Sequence, residues 1–106
     1  MGPKTEELIS VLEQLATLLY SDGHIHWSSW MREARTRLLH SDASGITYLL
    51  SAYGGMGSIN DLVLGQCYEG GRFSWKPGYV ELNEKFEQLR RDAAQLARAI
   101  ERSQAP

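Results

Sequence analysis

The chain has 106 residues, 42% of them hydrophobic, a single cysteine and a formal charge of −2. That length fits one domain around one core, and one cysteine excludes an intramolecular disulfide. The slight negative charge gives no bulk attraction to nucleic acid, whose phosphates are neutralised by Lys and Arg.

After Thr5, the residues Leu8, Leu12, Leu15 and Leu19 recur at helical spacing, with Val11 and Leu18 widening the stripe. They predict a first helix from about Glu6 to Tyr20, with the Thr5 hydroxyl as its cap and Gly23 as a left-handed stop. The segment "WSSWMREARTRLLH" puts Trp27, Trp30 or Met31, Ala34 and Leu38 on one face, which predicts a second helix over Ser28 to His40. "ITYLLSAY" is short and almost wholly apolar. No strand of comparable quality offers it a partner, so a buried third helix, Ala43 to Tyr53, is expected.

Gly54, Gly55 and Gly57 then let the chain leave one helix and start another. Ser58 to Asp61 reads as a capping-box variant, in which the Ser58 hydroxyl accepts from the Asp61 amide and the Asp61 carboxylate reaches back to the Ser58 amide. A short helix or 3₁₀ turn through Leu64 should follow and end at Gly65. "YEGGRFSWKPG" is expected to be irregular, with Phe73 and Trp75 either folded over the core or presented to a partner. From Tyr79 the residues Leu82, Phe86, Leu89, Ala93, Leu96 and Ile100 alternate steps of four and three, predicting a long helix to about Ser103 and a frayed tail over residues 103–106. The fold class that results is mainly α: one domain, residues 1–106, bundling about four helices and one short one, with the first and last packed along their leucine stripes.

The glycine cluster invites a phosphate-binding interpretation, but no lysine follows Gly57 and no βαβ unit surrounds it. "SGITYLLSAY" has no Arg, Lys, Gln or Asn to read bases, which argues against a DNA-binding helix-turn-helix. His24 and His26, with Asp22 beside them, are the candidate metal ligands, yet a site needs three or four donors. Cys67 has no nucleophile motif around it. The expectation is a protein without catalytic activity, cofactor or metal, and without affinity for nucleic acid or membrane. Glu6, Glu7 and Glu13 interrupt the apolar residues of the N-terminal segment, so no export signal is expected there.

"YGGMGSINDLVL", Tyr53 to Leu64, resembles the core of a family of small bacterial proteins described as a domain of unknown function, over about Ile46 to Ile100. The resemblance implies a cytoplasmic helical domain with no assigned reaction and transfers no catalytic residue. Small acidic helical proteins of this kind are often antitoxins or immunity proteins that dock on a toxin. Interfaces favour aromatics and Met, so Tyr53, Met56, Tyr68, Phe73 and Trp75, with the turn residues Ser58, Asn60 and Asp61, are the candidate partner-binding residues. The partner would be a protein, a cognate toxin, met by a monomer or homodimer. The alternative is a small-ligand or enzymatic pocket around the turn from Gly54 to Asp61.

Overall fold

The computed structural model describes residues 2–104. In chain order these form helix α1 (Pro3–Ser21), α2 (Ile25–Leu39), α3 (Ser44–Leu50), a 3₁₀ turn (Ile59–Asp61), strands β1 (Gln66–Glu69) and β2 (Arg72–Trp75), and helix α4 (Tyr79–Gln104). The mainly helical bundle with a long last helix is as the periodicity predicts. The strands are not.

Helix α1 starts three residues earlier than its sequence signal. Pro3, whose missing N–H would be unpaired in a first turn anyway, opens it, and Gly2 rather than Thr5 occupies the cap position. Its end is a Schellman motif: Gly23 takes φ 85°, its N–H donates to Tyr20 O at 3.0 Å, and the His24 N–H donates to Leu19 O at 2.9 Å. Helix α2 starts at Ile25, not Ser28, and ends the same way. There Ser41 takes φ 57°, with Ser41 N donating to Leu38 O and Asp42 N to Arg37 O.

Leu8, Leu12, Leu15 and Leu19 are wholly buried between α2 and α4, each burial worth roughly 1.5–3 kcal/mol. Small residues set the helix separations. The buried Ser28 hydroxyl donates to Ala16 O at 2.8 Å across the α1–α2 contact. On α3, a Cβ at Gly45 would sit 3.1 Å from Arg37 Cβ and Leu38 Cδ2 and 3.2 Å from Ala34 O, tighter than ordinary contact, so the glycine lets α3 lie a few tenths of an ångström closer to α2 than a larger residue would. Phe86, Leu89, Ala93, Ala97 and Ile100 of α4 close the core.

Helix α3 is shorter than expected, because residues 51–53 continue only as turn. The Ala52 carbonyl instead accepts from Ile59 N at 3.0 Å, which folds the glycine segment into a closed loop. Around it the capping-box expectation is half right. The Ser58 hydroxyl accepts from Asn60 N at 3.2 Å, not from Asp61, and the Asp61 carboxylate accepts from Gly57 N at 2.8 Å, not from Ser58. Ser103 and Gln104 belong to α4 rather than to a frayed tail, whose last two positions lie outside the described residues. Among the described residues no helix is long and apolar enough to cross a membrane.

Candidate functional site

The segment expected to be irregular is a β-hairpin. Gly70 and Gly71 both have positive φ, 56° and 76°, the requirement of a type I′ turn, whose twist matches that of the strands it joins. Strands β1 and β2 pair antiparallel with Tyr68 opposite Phe73 and Gln66 opposite Trp75. Alternation therefore puts Tyr68, Phe73 and Trp75 on one face and Cys67, Glu69, Arg72 and Ser74 on the other. Tyr79, at the start of α4, extends the aromatic face. Ring centroids are 5.2 Å apart for Tyr68 and Phe73, 5.0 Å for Phe73 and Trp75, and 4.7 Å for the stacked pair Trp75 and Tyr79. The ladder is held together yet uncovered: Tyr68 is 71% exposed, Phe73 46% and Trp75 42%.

The base of the hairpin is fixed by polar contacts. The Lys76 N–H donates to Gly65 O at 2.7 Å, closing the ends of the strands. Asp22, whose side chain is only 4% exposed, accepts from Gly65 N and from Lys76 Nζ, each at 2.9 Å, and meets His24 Nε2 at 2.9 Å. Burial pushes its carboxyl up, but the Gly65 N–H, the Lys76 ammonium and His24 outweigh it and hold the group below its ordinary 3.8. Asn83 of α4 grips the neighbouring residue from the other side. Its Oδ1 accepts from Leu64 N while its Nδ2 donates to Leu64 O and Tyr79 O, all at 2.8 Å. One carboxylate and one amide thus pin both hairpin ends to α1 and α4.

The eight sequence-predicted residues do not converge on one site. Tyr68, Phe73 and Trp75 form the hairpin face. Met56 is fully exposed at the glycine loop, while Ser58 and Asp61 hold that loop's backbone. Tyr53 is tucked in, its hydroxyl donating to Arg90 O at 2.7 Å, and burial raises its pKa. With Asn60 it lines an open groove against α4, which the glycines themselves do not line.

The histidines separate in role as well. His24 serves Asp22, whereas His26 packs edge-on against Trp27 and Trp30. Among the described residues no three His, Cys, Asp or Glu side chains come together to hold a metal.

Sequence reasoning missed Lys76, Asn83 and Tyr79, and it set Asp22 beside the histidines as a metal ligand where the fold uses it to anchor the hairpin. The hairpin itself had a readable signal: "QCYEGGRFSW" is two aromatic-bearing runs separated by Gly-Gly. The polar anchors had none, since Asp22 and Lys76 meet only through the fold.

No curated protein and no solved structure matches the chain. A family model described as a domain of unknown function (DUF6966) matches residues 20–72. The match runs from the end of α1 into β2. It thus begins earlier than the likeness noted in the sequence and stops before α4, while taking in the whole of Tyr53 to Leu64. The matched span is half of the chain, and the chain belongs to this family.

Proposed function

We propose that this chain is a non-catalytic protein-binding module, and that its task is that of an immunity protein which blocks a cognate bacterial toxin in the cytoplasm by docking on it. The observation that carries this reading is the aromatic ladder of Tyr68, Phe73, Trp75 and Tyr79, exposed on a hairpin whose ends are fixed to the bundle. Aromatic side chains bring large contact area with few torsions to freeze, and a surface already rigid before contact loses less entropy on binding. Protein interfaces concentrate their affinity in a few such anchors.

The test is titration calorimetry of the chain against the toxin encoded beside it, together with survival of cells producing that toxin. Trp75→Ala should weaken binding by about 1 kcal/mol or more, at least fivefold, and lower protection, with the helical circular dichroism unchanged. Tyr20→Ala, an exposed aromatic on α1, serves as control and should bind normally. Full affinity in the triple variant Tyr68→Ala, Phe73→Ala, Trp75→Ala would refute the hairpin as the docking surface.

A further inference from the structure

Along one side of α4, Arg90, Arg91, Gln95 and Arg98 face Tyr53 and Asn60 across an open groove of about 430 Å³. Its charges are three guanidinium groups and one carboxylate, Glu87, which Arg91 engages at 3.1 Å. Arg90 Nη1 donates to the carbonyl oxygens of Ile59 at 3.2 Å and Asn60 at 3.3 Å, and its guanidinium lies 5.0 Å from the Phe86 ring centre. Carbonyls carry no net charge, so these contacts fix the position of the cation without neutralising it. Arg98 has no ion-pair partner among the described residues. Both guanidinium groups act on the Tyr53 phenol, lowering a pKa that burial raises, so the two charges face the same wall.

The sign of this groove opposes that of the chain, whose formal charge is −2, so it is a local accumulation and not the overflow of a basic protein. Its geometry selects an elongated ligand. Arg90 and Arg98 leave the helix eight residues apart, about 12 Å along an axis rising 1.5 Å per residue, a spacing that two separate carboxylates match better than one compact anion. An extended peptide advances about 3.3 Å per residue, so carboxylates three or four residues apart match that span. Arginine forks suit carboxylates in particular, because two parallel N–H donors meet two oxygens. We propose that the groove binds an acidic segment of a protein in extended form, its carboxylates seated on Arg90 and Arg98 and its backbone facing the amides of Asn60 and Gln95. The site shares no residue with the hairpin face, and either can fail while the other stands.

Fluorescence anisotropy tests this on the full chain, using as probe a labelled glycine-rich peptide with glutamates four residues apart and, as control, the same peptide with glutamines. The glutamate probe should bind at least tenfold more tightly than the glutamine probe. Arg98→Gln should weaken it fivefold or more, and, because Arg98 is exposed and unpaired, should leave the fold intact by circular dichroism. Arg32→Gln, which removes a cation on α2 facing Glu13, should bind as the native chain does. Equal losses in Arg98→Gln and Arg32→Gln would mean unspecific attraction and overturn the proposal, as would equal binding of the two probes or none. Tripolyphosphate displacing the glutamate probe at lower concentration than unlabelled peptide would also overturn it, assigning the groove to phosphate-bearing ligands instead.

Discussion

Gly65 and Gly55 share a backbone angle, φ 83°, and differ in what surrounds them, so replacing each with alanine separates backbone strain from crowding. The strain is common to both. A residue with a Cβ held in the left-handed region costs about 1–2 kcal/mol, partly offset by about 0.4–1 kcal/mol from the lower entropy of the unfolded chain. Gly55→Ala meets nothing within 4 Å and should therefore lose about 1 kcal/mol or less. At Gly65 the new Cβ would lie 2.7 Å from Tyr79 Cβ and 3.3 Å from Tyr79 Cα. Neither atom can rotate away, because both are set by the backbone of α4, so the chain entering β1 must move off the helix. Overpacking of this kind costs about 1–3 kcal/mol, which brings the expected loss for Gly65→Ala to roughly 2–4 kcal/mol. Urea unfolding followed by far-ultraviolet circular dichroism reads the difference. With a slope of about 1–3 kcal/mol per molar urea, the midpoint of Gly65→Ala should fall by about 1 M or more, and that of Gly55→Ala by a few tenths. Two variants within about 0.5 kcal/mol of each other, the usual scatter of harmless surface changes, would refute the close approach of β1 to α4.

Three other outcomes are expected. Asp22 has a native pKa below 3.8, so its contribution to stability is present above that value and lost as pH falls through the lower native one. Asp22→Asn should therefore melt lower than the native chain at neutral pH, and the gap should close below about pH 4 in thermal melts taken over that range. Leu15→Ala empties a wholly buried position and should destabilise by about 2–5 kcal/mol in chemical denaturation. Tyr53→Phe removes a single 2.7 Å hydrogen bond to a carbonyl within α4 and should lose only about 1 kcal/mol by the same measurement.

What the sequence disclosed follows the physics of each element. The α1 and α4 stripes were legible because burial on one side of a helix repeats every three to four residues, and the leucines at positions 8, 12, 15 and 19 are all buried. The hairpin escaped because its strands are four residues long and exposed, so no burial pattern marks them. Turn chemistry was the only cue, and the two glycines suit a loop as readily as a type I′ turn. Helix α3 was overextended because Ala52 is as buried as the residues of the helix before it, while its carbonyl turns to Ile59. Apolar composition reports burial and not where the backbone hydrogen bonds go. The groove was hidden for a different reason: Arg90 and Arg98 sit on the polar side of α4, and what distinguishes them is the chain from Tyr53 to Asn60 lying alongside, a contact of high sequence separation.

The same separation explains how a hairpin this small persists. Two strands of four residues, exposed on most of their length, are marginal by themselves, and here no strand residue is fully buried, Phe73 and Trp75 being only about half covered. The attachments at their base add to what the stack of Trp75 on Tyr79 supplies. Asp22 stands in the C-cap of α1, and its carboxylate reaches Gly65 before β1 and Lys76 after β2. Asn83 holds Leu64, one residue further back, to the first turns of α4. The left-handed Gly23 that ends α1 therefore does more than stop a helix, because the Schellman turn sets the direction in which Asp22 leaves it. Polar contacts thus fix the base of the hairpin to α1 and α4 while Tyr68, Phe73 and Trp75 stay partly in solvent. A structural hairpin would gain more by turning Tyr68, Phe73 and Trp75 toward the core, and their position in solvent is the feature that the bundle's own stability does not explain.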